Sequence, residues 1–399
     1  MTTFTPTSAA ETLSAVQWAL SEEAPLEVFG HGSKRGIGRP AQTEHVIDLS
    51  RLTGVTLYEP EELVLSARAG TPLSEIEPLL RARGQEFAFE PMDYGPLLGG
   101  APGKGTIGGV LATNLSGPRR LKAGAARDHI LGINAVSGRG EAFKSGGRVV
   151  KNVTGYDLSK VMAGSWGTLA IVTDLTFKVL PAAETEITVA LRRLDDEKAT
   201  AAMAAALGSS AEVSAAAHLP ELVAARVSGD LGSDPATLLR VEGFGPSVAY
   251  RVAMLRDLFG GHVEIIEAET SRALWRDIRD VVPFADGTQR PVWRVSIQPS
   301  AGWRMVEALR REAAVDAFYD WQGGLVWLRM EAEPEPETVR GLIRHFGGGH
   351  ATLVRASAPV RAATPVFEPQ AGALGALAAR LKAEFDPKGI LNMGRMAGG

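Results

Sequence analysis

YGPLLGGAPGKGTIGGVLATNLSG, residues 94–117, carries eight glycines and ends in an asparagine and serine turn. Glycine lacks Cβ and tolerates positive φ, so such a stretch lets backbone N–H groups come close to a ligand. A phosphate or pyrophosphate cradle is the expected use. A Walker loop is excluded, because Gly103-Lys104 is followed by Gly105 rather than Ser or Thr, and Leu98 stands where the first glycine belongs. Gly103-Lys104-Gly105-Thr106-Ile107-Gly108 meets the letters of a dinucleotide fingerprint. That fingerprint needs a buried strand before it, whereas Pro91 to Pro102 holds three prolines and three glycines, which a central strand does not tolerate. The cradle therefore belongs to another fold.

Working outward, a second glycine turn lies upstream in Val28-Phe29-Gly30-His31-Gly32-Ser33-Lys34-Arg35-Gly36. Ala126-Arg127-Asp128-His129-Ile130-Leu131-Gly132, Val150-Lys151-Asn152-Val153-Thr154-Gly155-Tyr156-Asp157 and Gly164-Ser165-Trp166-Gly167-Thr168-Leu169-Ala170-Ile171 follow in that order. Together these segments resemble the FAD-binding domain of the vanillyl-alcohol oxidase and p-cresol methylhydroxylase type. Ser116-Gly117-Pro118-Arg119-Arg120 and the run 150–157 narrow the resemblance to the FAD-binding subunit of bacterial glycolate oxidase. It covers residues 25–182 and returns at Phe385-Asp386-Pro387-Lys388-Gly389-Ile390-Leu391-Asn392.

The resemblance implies an α+β protein: a two-part FAD-binding domain over 1–182, an α+β second domain over 183–370, and a C-terminal segment, 371–399, returning to the flavin. It also implies a set of cofactor-binding residues. Gly30, His31, Gly32, Ser33 and Lys34 would face the pyrophosphate with Gly105, Thr106, Ile107, Gly108 and Gly109. Ala112, Thr113 and Asn114 would pass the flavin ring, and Gly167, Thr168 and Ile171 the adenosine side. Pro91, Gly117, Arg127 and Asn392 complete the set. The chemistry agrees with the resemblance: bare amides suit a pyrophosphate, Ser33 and Thr106 add hydroxyls, and Lys34 adds charge. Relatives that attach FAD through histidine place it directly before the serine of the first loop. Here Gly32 holds that position and the chain has no cysteine, so non-covalent FAD is expected, with His31 a turn residue beside the pyrophosphate.

Lys151 and Tyr156 are candidates for the reactive edge of the flavin, against an ordinary polar turn entering a helix. Arg119 and Arg127 would either neutralise an anion or serve structure. Sister enzymes acting on D-lactate or 2-hydroxyglutarate carry a histidine-rich metal motif in the second domain. The nearest segment here, His345-Phe346-Gly347-Gly348-Gly349-His350, spaces its histidines five apart with no carboxylate between them, so no metal is expected. Trp275-Arg276-Asp277-Ile278-Arg279 resembles the turn whose arginine clamps substrate carboxylate, which nominates Arg279. No catalytic residue is assigned. The resemblance implies a complex in which a sister FAD-containing catalytic subunit and an iron–sulfur subunit hold the remaining chemistry, with a small 2-hydroxy acid as substrate. A self-sufficient hydroxy-acid dehydrogenase and a non-catalytic flavin scaffold are the alternatives. A UDP-sugar reductase shares the FAD domain, but its nucleotide sites leave no signature.

Composition fits this. The formal charge of −4 over 399 residues, without a basic run, argues against nucleic acid. The absence of cysteine excludes an iron–sulfur cluster held by this chain. The first 23 residues lack a basic and apolar leader, and no apolar run reaches the ~18 residues of a spanning helix. A cytoplasmic location is expected, with the inner membrane reached only through partners. Periodicity predicts a helix at 8–22, strands near 26–29, 45–48, 55–58 and 63–67, and a helix begun by Thr71-Pro72. It predicts a half-buried strand over 169–180, then strands Glu186 to Ala190, Leu238 to Glu242, Val263 to Ile266, Val292 to Ile297, Val326 to Met330 and Thr352 to Arg355, alternating with helices under a one-faced helical layer. Ala201 to Ala206 reads as a short surface helix, and Leu374, Leu377, Leu381 and Phe385 as one face of a last helix.

Overall fold

Helix Ala9–Ser21 begins at Ser8, whose hydroxyl accepts from the Glu11 N–H, and buries Thr12, Ala15, Val16 and Ala19. That face covers a parallel sheet of Thr2–Phe4, His45–Asp48 and Leu26–Phe29, in this spatial order. The computed structural model describes residues 2–148, 155–229 and 231–396. A second sheet of five antiparallel strands runs in the order Val55–Glu59, Val64–Arg68, Ala170–Lys178, Ile130–Ser137, Ala142–Gly146. Its central strand buries Ile171, Thr173, Leu175 and Phe177 on alternate positions, as the sequence predicts. The two sheets and the helices against them form a flavin-side lobe. Helix Leu73–Arg81 differs from expectation at its start. Pro72 is the N-cap, because the Thr71 hydroxyl is taken by the Arg68 carbonyl at 2.7 Å.

Strands from Thr185 to Arg355 build a separate sheet of eight antiparallel strands. Two of them, Ala215–Leu219 and Val315–Asp320, are absent from the sequence reading. Val189, Leu239, Val326 and Trp293 point to an outer layer formed by helices Asp196–Leu207, Gly245–Leu258, Pro299–Arg310 and Pro336–His345. The alanine run therefore buries Ala199, Met203 and Ala206 in this layer, so its helix is a packing element and not only a surface one. Ala190, Leu238, Phe318 and Trp327 point inward, to Tyr94, Leu97 and Trp166 of the flavin-side lobe and to helix Ala268–Arg279. The helical cover is thus two-faced, which corrects the one-faced expectation.

Buried ion pairs tie the sheet to the flavin-side lobe. Arg240 reaches Glu90 at 2.8 and 3.1 Å, and Arg119 reaches Glu242 at 2.8 Å and also pairs with Glu86. Burial pushes the Glu90 carboxyl up, but Arg240 and Arg119 outweigh it and hold the group at about 2. Removing one partner of such a pair typically costs about 3–5 kcal/mol. Arg119 is therefore a structural tie, the second of its two sequence readings.

The C-terminal helix, Gly372–Phe385, buries none of its residues, and Leu374 and Leu377 are exposed. Only Leu381 and Phe385 of the expected apolar face lean on the flavin-side core. Past the helix the chain pairs Leu391 with Leu26, and the Leu26 N–H donates to Ile390 at 2.7 Å.

Candidate functional site: a glycine-lined groove beside an arginine pocket

The two glycine turns meet. A Cβ on Gly30 would lie 2.9 Å from Thr106 Oγ1, so only glycine allows this approach. Between the turns runs a groove of about 830 Å³, bounded by residues 28–35, helix Ile107–Thr113, the 165–167 turn and the start of strand Ala170–Lys178. Gly30, His31, Gly32, Ser33, Lys34, Thr106, Gly108, Gly109, Ala112, Thr113, Gly167 and Ile171 all line it. Phe29, Leu49, Met162 and Val172 give it apolar surface, and Lys34, Arg35 and Arg395 supply cations. A groove that offers both suits a flavin nucleotide, whose planar ring is joined to a pyrophosphate.

The donors are divided unequally. Among the described residues, the amides of 31 to 34 donate to no protein acceptor. The second loop has spent part of its own: Ile107 N–H goes to Thr71 O at 3.0 Å, Gly108 to Ala69 O at 2.9 Å, and Gly109 to Thr106 Oγ1 at 3.1 Å. Within the expected second cradle only the Gly105 and Thr106 amides donate to no protein acceptor among the described residues, so the first turn offers the larger set of donors. Gly108 matters for closeness instead, since a Cβ there would stand 2.7 Å from Ala69 O. Lys34 is buried with no carboxylate at ion-pair distance among the described residues, and burial lowers its pKa against the pull of Asp93 and Asp280. His31 Nε2 and Arg395 Nε are buried without partners. Arg395 lies over Trp166, 5.7 Å from the ring centroid, and burial lowers its pKa to about 10, so it stays charged at neutral pH. Orphaned donors along a groove are what an absent polyanion would satisfy.

Several expected cofactor residues lie outside the groove lining. The Ile107 side chain is in the core, and Gly105 O accepts from Leu73 N–H. Pro91 and Arg279 line a different cleft, between the lobes. Gly117 O accepts from Trp321 Nε1 at 3.0 Å. Arg127 is exposed, with Nε on Lys160 O at 3.3 Å, and its N–H meets Asn114 Oδ1 at 2.9 Å. The Thr168 hydroxyl closes its own turn on Ser165 O at 2.7 Å. The Asn392 amide is consumed by Val28 N–H at 2.8 Å and Trp166 O at 2.8 Å, so it positions the groove walls rather than reaching a ligand. Tyr156 is 93 % exposed. Lys151 lies outside the described residues.

Arg279 is also corrected as the carboxylate clamp. Its guanidinium donates from Nε and Nη2 to the two Asp280 carboxylate oxygens, at 2.8 and 2.7 Å. A second cavity, of about 880 Å³, touches the groove at Thr113 and Trp166, which line both. Asn114, Arg120, Arg294, Trp321, His350 and Thr352 are among its walls. His345 ends helix Pro336–His345, whereas His350 sits in strand Gly349–Arg355. Of these groups, sequence reading had singled out only Asn114 and His350. Arg294 occupies an alternate position of an otherwise apolar strand, which reads as a solvent face until the other lobe is known to cover it.

A model of the FAD binding domain family matches residues 2–146. Glycolate oxidase subunit GlcE of Escherichia coli is 34% identical over 387 residues, 96% of this chain and 96% of that protein. Among solved structures, 4-ethylphenol oxidase from Gulosibacter chungangensis superposes with a TM-score of 0.72 at 14% identity, covering 99% of this chain and 88% of that one. p-Cresol methylhydroxylase gives 0.71 at 15% identity, again over 99% of this chain and 88% of that one. At such identities these two share the fold.

Proposed function

This chain belongs to the family of FAD-binding glycolate oxidase subunits of the GlcE type, and we propose that it is the FAD-carrying subunit of a glycolate-oxidase-type complex. It takes part in the flavin-dependent oxidation of a small 2-hydroxy acid, glycolate to glyoxylate, and passes the electrons on within the assembly. The observation that carries this reading is the groove itself: free amides at 31–34 beside Lys34 and Arg395, opening onto apolar walls. Bound FAD supplies the two-electron acceptor. The chain's own residues bind and orient it. The 31–34 turn and His31 meet the pyrophosphate, and Lys34 and Arg395 offset its charge. The Trp166–Gly167 turn, pinned by Asn392, fixes the far wall. FAD is held non-covalently.

The chain divides at 182 and 370 into a FAD-binding domain, a sheet domain and a C-terminal segment. A sister flavin subunit and an iron–sulfur subunit are its partners, since this chain has no cysteine with which to hold a cluster. Among the described residues no helix is long and apolar enough to cross a membrane, so membrane contact is assigned to partners.

Acid denaturation followed by filtration should release all the yellow colour, and the released flavin should be FAD. Colour retained on the polypeptide would overturn the non-covalent reading. A purified chain that neither carries nor rebinds FAD would overturn the whole assignment.

A further inference from the structure

The inner side of strand Val292–Ile297 carries a cation, Arg294, that pairs with no carboxylate among the described residues. Trp293, Val295 and Ile297 enter the outer core, and Val292 enters the inner one. Alternation therefore sends Arg294 and Ser296 inward with Val292, toward the flavin-side lobe. The strand register sets Thr352 beside Arg294 and His350 beside Ser296 on the neighbouring strand. From the opposite lobe comes Arg120. Both guanidinium carbons stand 4.9 Å from the ring centroid of Trp321, so two cations share one indole.

Arg294 Nε is buried with no hydrogen-bond partner. Among the described residues, no carboxylate lies within ion-pair distance of Arg294 or Arg120. The acid that acts on Arg294, Asp320, spends Oδ1 on the Trp321 N–H at 2.7 Å. Burial holds that carboxyl up at about 7, which leaves it a poor counter-ion. Glu368, behind His350, is engaged by Arg340 and the Ala351 N–H. Desolvated guanidinium groups are retained where an anion meets them. The platform is also fixed in advance. Trp321 and Gln322 adopt φ of +50° and +63°, a conformation costly for such residues, and Trp321 Nε1 is anchored on Gly117 O at 3.0 Å.

We propose that this pocket binds the carboxylate of a short 2-hydroxy or 2-oxo monocarboxylic acid, held by Arg294 and Arg120, with His350 and Thr352 facing the adjacent hydroxyl or carbonyl oxygen. The proposal rests on the flavin reading, because the cavity adjoins the groove, with Thr113 and Trp166 lining both. Ile37, Leu115, Val354 and Phe367 add apolar wall, and among the described lining residues Arg294 and Arg120 supply the arginine or lysine cations, enough for one carboxylate. The ligand is therefore a monoacid. It also places a substrate-binding pocket on this chain, where the sequence nominates only Arg279.

Glyoxylate, which the flavin does not oxidise in this reaction, is the probe. It is titrated into the flavin-loaded full-length chain while tryptophan fluorescence and flavin absorbance are followed. Saturable changes are expected, with 2-hydroxyglutarate at least tenfold weaker. Arg294→Met should weaken glyoxylate at least 30-fold and Arg294→Lys less, and neither should alter FAD content. Should Arg294→Met fail to fold, Arg120→Met, at a half-buried site, is expected to weaken binding about tenfold. A chain that holds FAD but gives no saturable response overturns the pocket and leaves the flavin reading intact. Unchanged affinity in the arginine variants also overturns it. A saturable tryptophan response in a chain unable to hold FAD overturns the flavin reading while the anion pocket stands.

Discussion

The flavin groove and the arginine pocket share two residues, Thr113 and Trp166, yet they are built by opposite means. The groove is made of backbone. Its cradle spans residues 31–34, and its closeness depends on hydrogen atoms where Cβ would stand at Gly30 and Gly108. The pocket is made of side chains drawn from residues 120, 294, 321 and 350, which meet only because the eight-stranded sheet lies against the flavin-side lobe. A backbone-built site leaves a compositional trace, because only glycine serves. A side-chain site assembled across a domain interface leaves single, ordinary-looking residues. The two should therefore fail separately.

The largest expected separation comes from Gly108→Val. Its Cβ would sit 2.7 Å from Ala69 O and 2.8 Å from Ala69 Cβ, which forces the helix away from its strand. FAD affinity should fall at least 100-fold, about 2.7 kcal/mol, read from the flavin-to-protein absorbance ratio after dialysis. The tryptophan response of the flavin-free variant to glyoxylate should stay within a few-fold of the parent. Loss of both together would show that the two sites are one cooperative unit and would break the comparison.

A smaller effect is expected within the groove. Arg395→Met should weaken FAD about tenfold, roughly 1.4 kcal/mol, because a buried cation whose Nε has no partner and whose Nη2 meets only the Lys34 carbonyl is removed from the groove. Arg35→Met should do less, since Arg35 Nε is already engaged by Glu27 at 2.8 Å. Equilibrium dialysis of the two variants side by side tests this. Equal losses would mean that groove charge acts in bulk and that Arg395 has no specific place in it.

How far the sequence could be read follows from the same contrast. Strands Leu26–Phe29, His45–Asp48 and Val292–Ile297 appear at the predicted bounds because β-branched and apolar residues mark them locally. Strand Ala215–Leu219, AAAHL, was missed because alanine has little strand propensity and both its faces are buried. Gly30 to Lys34 was legible as a cradle. That the amides of Ile107, Gly108 and Gly109 were already spent was not, since Ala69 and Thr71 lie far off in sequence. Arg279 fits a local pattern, but the adjacent Asp280 neutralises it. Arg294 carried no local signal, because a polar residue on alternate strand positions looks the same whether water or another lobe faces it.

The smallest expected effect concerns the charge beside the pocket. Burial raises the Asp320 carboxyl from its ordinary 3.8 to about 7, against the opposing pull of Trp321 N–H, Arg240 and Arg294, and Glu90 adds to the rise. Below that value Asp320 is neutral and the arginines face an incoming carboxylate unopposed. Above it a negative charge stands close by. Glyoxylate affinity should therefore decline a few-fold as pH rises through about 7, an effect on the order of 1 kcal/mol or less. His350 pushes the same way at lower pH, because burial and Arg294 hold its pKa below the ordinary 6.5. Asp320→Asn keeps an acceptor for the Trp321 N–H and removes the charge, so the step near 7 should vanish while the lower one persists. The same substitution has a signature in folding. A carboxyl whose folded pKa is raised binds its proton more tightly folded than unfolded, so stability falls with rising pH between about 4 and 7. Denaturant titrations at pH 5 and pH 8 should show that fall in the parent and a weaker one in Asp320→Asn. An unchanged binding step near 7 in the variant would remove Asp320 from the account of the pocket.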